Sequence, residues 1–202
     1  VVTNPPFSLF REYVEQLMEY DKKFLIIGNV NSITCKEIFP YIRDGKMWLG
    51  PSIRSGDRKF RVPDNYPLNA AGCGIDTHGI RFIRVKGVRW FTNLDHNKRH
   101  ELLDLVCRYS PEEYPRYDNY DAINVDKTSD IPCNYAGIMG VPITFLDKYN
   151  PEQFEILNAN DFRKNNSVPC KQHGLIKDKD GAINGKPTYA RILIRNKHPQ
   201  QL

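Results

Sequence analysis

The chain has 202 residues, enough for one large domain or one and a half small ones at roughly 150 residues per domain. Its composition, 40% hydrophobic and 26% charged with 11 Tyr, 10 Phe and 2 Trp, excludes a disordered tail or a low-complexity array. Lys and Arg number 29 against 24 Asp and Glu, and the resulting net charge of +5 permits a polyanionic partner without demanding one.

No apolar run approaches the roughly 18 residues of a membrane span, so none is predicted. The start, Val1-Val2-Thr3-Asn4, has neither the basic nor the apolar region of a signal peptide. Five cysteines (Cys35, Cys73, Cys107, Cys133, Cys170) are scattered and form no C-x-x-C pair. A chain of this size needs no disulfide staples, so reduced thiols in a cytoplasmic protein are expected.

Val1-Val2-Thr3 is β-branched but shorter than a typical strand of about 5–6 residues. It reads as the end of a strand whose beginning lies outside the chain, with a frayed tail as the alternative. Phe10, Val14, Leu17 and Met18 then recur at helical spacing, predicting a helix from about Ser8 to Tyr20. Phe24-Leu25-Ile26-Ile27-Gly28 is a continuous apolar run, as expected of a parallel strand buried on both faces. Thr34 with Glu37 forms a capping box for a short helix that Pro40 curtails. The first 40 residues thus predict a βαβ unit of an α/β sheet.

Farther on, Met47-Trp48-Leu49 is a predicted strand, and Ser52 to Gly79 is a long polar loop. Ile80–Val85 and Val88–Thr92 are predicted strands, joined through Lys86-Gly87 as a hairpin. Helix starts are predicted at Ser110-Pro111-Glu112-Glu113 and Asn150-Pro151-Glu152-Gln153. A final strand spans Thr188 to Ile194. A boundary near residue 95 separates a first domain, 1–95, from an irregular α+β C-terminal region, 96–202. Asp118, Asp121, Asp126 and Asp130 read as a solvated loop.

Asn4-Pro5-Pro6-Phe7 follows the first strand, at the carboxyl edge where open α/β sheets bind ligands. This tetrapeptide resembles the signature of amino-group methyltransferases acting on adenine, cytosine or glutamine, the alternative being a Pro-Pro turn that simply leads into a helix. An exocyclic adenine amine is a poor nucleophile because its lone pair is delocalised into the ring. Two acceptors that bind its N–H groups favour a pyramidal nitrogen and free the lone pair. The Asn4 side-chain oxygen and the Pro5 carbonyl are those acceptors, with Pro5 and Pro6 fixing the backbone. Phe7 offers a flat surface for an extruded base.

The resemblance extends further. Asn4 to Arg11, Phe24 to Asn29, Trp48-Leu49-Gly50, Ser55-Gly56-Asp57-Arg58, Lys86 to Leu94 and Gly140 to Leu146 resemble the EcoRI-type adenine-specific DNA methyltransferase family. That resemblance implies a Rossmann-like methyltransferase sheet, S-adenosylmethionine as methyl donor, and methylation of adenine N6 in a specific duplex sequence. It makes Asn4 to Phe7 the catalytic loop and places DNA recognition in the later region. The family's Gly-rich cofactor loop precedes its Asn-Pro-Pro-Phe strand, so the main cofactor motif is expected outside this chain. Gly72-Cys73-Gly74-Ile75-Asp76 lacks the strand–turn–helix context to replace it.

Arg54, Arg58, Lys59 and Arg61 on the long loop are the predicted DNA contacts. Arg81, Arg84, Lys86 and Arg89 on the predicted hairpin fit a solvated strand face better. Cys73, His78, His96, His100 and Cys107 are too dispersed for a zinc site, and no metal is expected. Two rivals stand beside this reading: a non-catalytic fragment that binds DNA or pairs with a subunit, and methylation of RNA or a protein glutamine.

Overall fold

The computed structural model describes residues 1–53, 57–69, 71–164 and 174–201. It opens on strand β1 (Val2–Thr3), a single 3-10 turn at Phe7–Leu9, and helix α1 (Phe10–Glu19). Strand β2 (Leu25–Asn29) then pairs parallel with β1, Val2 opposite Leu25 and Thr3 opposite Ile26. The expected βαβ unit is present. Its helix buries Phe10, Val14 and Leu17 on one stripe.

The Phe10 ring meets Phe91 edge-on at 4.9 Å between centroids. Both rings lie over Gly28, where an added Cβ would come within 2.4 Å of Phe10 and 2.9 Å of Phe91. Burial along β2 alternates: Ile26 and Gly28 are covered, whereas Leu25, Ile27 and Asn29 are half-covered. The strand is therefore sealed only on the α1 face, not on both as its unbroken apolar run implied.

Thr34 does not open a helix. Residues Val30–Thr34 form a 3-10 segment, and the Thr34 hydroxyl donates back to the Asn31 carbonyl. Helix α2 (Phe39–Arg43) carries Pro40 in its first turn, so Pro40 belongs to its start. The reason is that a first-turn residue has no intrahelical partner for its N–H, and Pro loses nothing there.

Strand β3 (Trp48–Leu49) follows, and then β4 (Arg58–Arg61), β5 (Gly74–Ile75) and β6 (Arg81–Val85). These last three form a separate antiparallel sheet in the order β4-β6-β5, within the stretch expected to be loop. Strand β7 (Val88–Thr92) leaves them and enters the first sheet, whose order is β1-β2-β7-β3. It is antiparallel to both β2 and β3. The hairpin predicted across Lys86-Gly87 is absent, because the Lys86 carbonyl accepts from Asn29 Nδ2 and the Gly87 carbonyl from the Val30 N–H. Gly87, at φ +68°, turns the chain from one sheet into the other.

The later residues build a second four-stranded sheet. Its strands β8 (Ile123–Asn124), β9 (Ile138–Pro142), β10 (Phe154–Leu157) and β13 (Arg191–Asn196) are ordered β10-β13-β9-β8, and β11 (Ala182–Ile183) pairs with β12 (Lys186–Pro187) as a small hairpin. Both predicted helix starts, at Ser110 and Asn150, close only single turns. Tyr114 N–H reaches the Ser110 carbonyl and Phe154 N–H the Asn150 carbonyl. Pro115 blocks the first, and the alternating burial of Phe154–Leu157 draws the second into β10. One core unites the two sheets, with Phe10, Ile26 and Phe91 continuous with Phe145, Phe154 and Ile192.

Gly28→Ala places a methyl inside the Phe10 ring, and overpacking of this kind destabilises by about 1–3 kcal/mol. Chemical denaturation is expected to show the midpoint falling with an unchanged slope.

Candidate functional site

Because β1 and β2 run parallel, the chain leaves both at the same sheet edge. There the Asn4–Phe7 loop is pinned from two sides. Pro5 and Phe10 are buried, while Asn4, Pro6 and Phe7 stay at the surface. Pro6 holds an extended backbone (φ −55°, ψ 130°), and its carbonyl accepts from the Leu9 N–H at 3.0 Å. Among the described residues, no hydrogen bond engages the Asn4 side chain. Phe7, 38% exposed, presents its ring beside that amide's loop. The arrangement offers an uncommitted amide and an apolar plate on a fixed backbone, on open surface.

The basic residues divide. Arg54 lies outside the described residues, as do Ser55, Gly56 and Cys170. Arg58, Lys59 and Arg61 stand on β4, with Lys59 and Arg61 exposed and Arg58 half-covered on the other face. Arg84 is exposed on β6, and Arg81 turns to the Tyr66 carbonyl at 2.8 Å.

Arg89 is different in kind. It is buried on β7 and forms a two-pronged pair with Asp147, Nε to Oδ1 at 2.8 Å and Nη2 to Oδ2 at 3.0 Å. The side chains are 6% and 11% exposed, so the solvated basic hairpin expected there does not include it. The pair ties the first sheet to the 3-10 segment Ile143–Lys148.

In the loop expected to be solvated, Asp118, Asp121 and Asp126 are exposed, and two of these carboxylates also hold local structure. The Asp118 carboxylate accepts the backbone N–H groups of Asn184 and Gly185, and Asp126 accepts from Asn124 Nδ2 at 2.8 Å. Asp76 caps a turn by accepting from the His78 and Ile80 N–H groups at 2.9 Å each, which fixes Gly72–Asp76 as a strand and turn. Among the described residues no group of three His, Cys, Asp or Glu could hold a metal ion.

Sequence reasoning missed a cluster under Trp48. The Arg99 guanidinium stacks over the Trp48 ring at 3.8 Å, and His96 Nε2 lies 3.0 Å from the Leu49 carbonyl. A cavity of about 20 Å³ adjoins them, with room for a water molecule. Among the described residues, His96 Nδ1 and Arg99 Nε have no hydrogen-bond partner. No spacing in the sequence links Trp48 to residues nearly fifty positions on. Nearby, His100 sits between Asp95, at 2.9 Å, and Glu152, at 3.4 Å. The hydrogen bond His100 donates to Asp95, then the one to Glu152, raises its pKa, and the same bond lowers that of the Asp95 carboxylate.

The chain is similar to known proteins along nearly its whole length. The family described as "Adenine-specific methyltransferase EcoRI" matches residues 1–197. Type II methyltransferase M.EcoRI of Escherichia coli is 54% identical over 203 residues, covering 100% of this chain and 58% of that protein. M.MgeORF184P of Mycoplasma genitalium is 37% identical, over 96% of this chain and 63% of its own length. M.MpnI of Mycoplasma pneumoniae is 36% identical, over 98% and 64%. The chain thus spans about six tenths of the length of these curated relatives. No solved structure matches.

Two outcomes follow from the ion pairs. Asp147→Ala strands a buried guanidinium, and breaking such a pair is expected to lower stability by about 3–5 kcal/mol in denaturant melts. His100, its pKa raised on folding, stabilises fully below its unfolded pKa, and that stabilisation is lost as pH rises through the folded value. His100→Ala is expected to flatten the melting temperature across that window.

Proposed function

The chain belongs to the EcoRI-type family of adenine-specific methyltransferases, and on that premise we propose that it carries the base-handling part of a type II DNA methyltransferase. The reaction is transfer of a methyl group to adenine N6 in a specific duplex sequence, as in a restriction-modification system. We read the β1-α1-β2 unit and its sheet as part of a Rossmann-like methyltransferase fold, with residues 1–95 forming the C-terminal part of the catalytic domain. Residues 96–202 are read as an extension for DNA recognition that shares its core.

The observation that carries this reading is the exposed, unengaged Asn4 amide, held at the carboxyl edge of a parallel pair by the buried Pro5 and Phe10. The Asn4 oxygen accepts one N6–H of an extruded adenine and the Pro5 carbonyl the other. Those two hydrogen bonds favour a pyramidal nitrogen and free its lone pair from the ring. Phe7 stacks on the base and fixes its plane. Stabilisation comes from acceptors aimed at the developing charge, with no covalent intermediate.

S-adenosylmethionine, the donor that the family implies, supplies an electrophilic methyl. Gly72–Asp76 does not fit it: Gly74 packs within its sheet against Phe82, and the Asp76 carboxylate is committed to its own turn. No residue is assigned to the donor.

Double-stranded DNA is the proposed partner, reached in part through Lys59 and Arg61, with Arg58 turned to the other face of β4. No helix among the described residues is long and apolar enough to cross a membrane. Asn4→Ala in the complete enzyme is expected to cut single-turnover methylation of a cognate duplex by about 10²-fold or more, with duplex binding retained. Near-normal turnover removes the mechanism.

A further inference from the structure

We propose that one face of the β4-β6-β5 sheet is a surface for the phosphate backbone of duplex DNA, organised around Lys59 and Arg84. The proposal rests on the DNA reading above and specifies where the duplex lies.

Register decides which residues share that face. Lys59 stands directly opposite Arg84, and Arg61 opposite Phe82. Phe82 in turn stands opposite Gly74. Side chains directly opposite on antiparallel strands point the same way, so Lys59, Arg61, Arg84 and Phe82 form one surface. Arg58, Phe60, Ile83 and Val85 occupy the other face and are half-covered.

Lys59 and Arg84 are like charges in direct cross-strand opposition, an arrangement that destabilises a sheet. Arg61 adds a third cation two residues along. Asp57 lies 3.8 Å from Arg84, but both side chains are solvent-accessible and such a pair offsets little. Lys59 Nζ sits 4.5 Å from the Phe82 ring centroid, which holds the ammonium on this face. The third strand stays low beside the cations: an added Cβ at Gly72 would lie 3.1 Å from Arg84 Cβ, and one at Gly74 would lie 3.1 Å from the Phe82 ring.

The sheet's burial points the same way. No described residue between 51 and 87 is fully buried, so this sheet adds nothing to the core. An element that contributes no core and sets cations against each other departs from what stability alone selects, and such departures concentrate at functional sites. A duplex presents about one negative charge per 1.7 Å of axis and relieves that opposition on contact. The contacts are to backbone and position the enzyme without reading sequence.

The test is titration of the full chain against a fluorescent mixed-sequence duplex over a range of salt. The triple variant Lys59→Ala, Arg61→Ala, Arg84→Ala is expected to lower the log–log salt slope by about 0.9 for each phosphate it no longer neutralises. A control triple, Lys22→Ala, Lys36→Ala, Lys46→Ala, removes the same charge elsewhere and is expected to change the slope less. Lys59→Glu is expected to raise the melting temperature while weakening duplex binding. A wild-type chain that binds but whose sheet triple keeps an unchanged slope, or matches the control, overturns this inference alone. A fall in melting temperature for Lys59→Glu overturns the like-charge argument. A wild-type chain that binds no duplex overturns this inference together with the DNA reading.

Discussion

The contact on which the site depends is the seating of Phe10 over Gly28, edge-on to Phe91. Phe10 is the first residue of α1 and stands three positions after Phe7, so its depth in the core sets where the tetrapeptide can lie. A fully buried Phe contributes about 1.5–3 kcal/mol, an appreciable share of a domain's net stability. Gly28 supplies the space and β7 supplies Phe91. The parallel pair, the helix entry and the exposed amide of Asn4 therefore form one mechanical unit. Catalytic precision of this kind comes from rigid elements rather than from the loop itself.

A second constraint joins the two sheets. Arg89 and Asp147 meet between β7 and the segment that follows β9, nearly dry and with paired hydrogen bonds. Burying such a pair gains little over apolar packing, yet losing either partner is severe. The pair is thus better understood as fixing how the halves meet than as adding stability. The shared core says the same: Phe145 and Phe154 pack at 5.2 Å within the cluster that holds Phe10.

Local patterns were legible wherever burial was local. The helical stripe of α1 and the parallel pairing of β1 with β2 are legible because these elements follow one another within thirty residues, whereas the one-sided burial of β2 depends on β7, more than sixty residues on. The tetrapeptide stands out in the sequence because few residue types are compatible with the chemistry proposed for it. Partners far along the chain were not. Lys86-Gly87 has good hairpin chemistry, yet Asn29 and Val30 capture its carbonyls and send β7 to another sheet. Arg84 and Arg89 look alike in sequence, and only Asp147, 58 residues beyond Arg89, separates an exposed cation from a buried one. The capping residues at Ser110 and Asn150 do form turns, but a cap without an amphipathic face does not propagate a helix.

The two parts of the surface obey opposite rules. Around Asn4 every neighbour agrees: Pro5 goes inward, Pro6 is extended, and the strand and helix converge on one loop geometry. On the β4-β6-β5 sheet the neighbours conflict, with cations opposed and little buried beneath them. A group that polarises a base must be held in place, and its scaffold draws rigidity from the core. Backbone contacts need only charge at the right spacing, which a thin sheet without its own core can present. Under the proposed function, a rigid loop and a separate cationic sheet are the division of labour expected when one part must act on an atom and the other must follow a polymer.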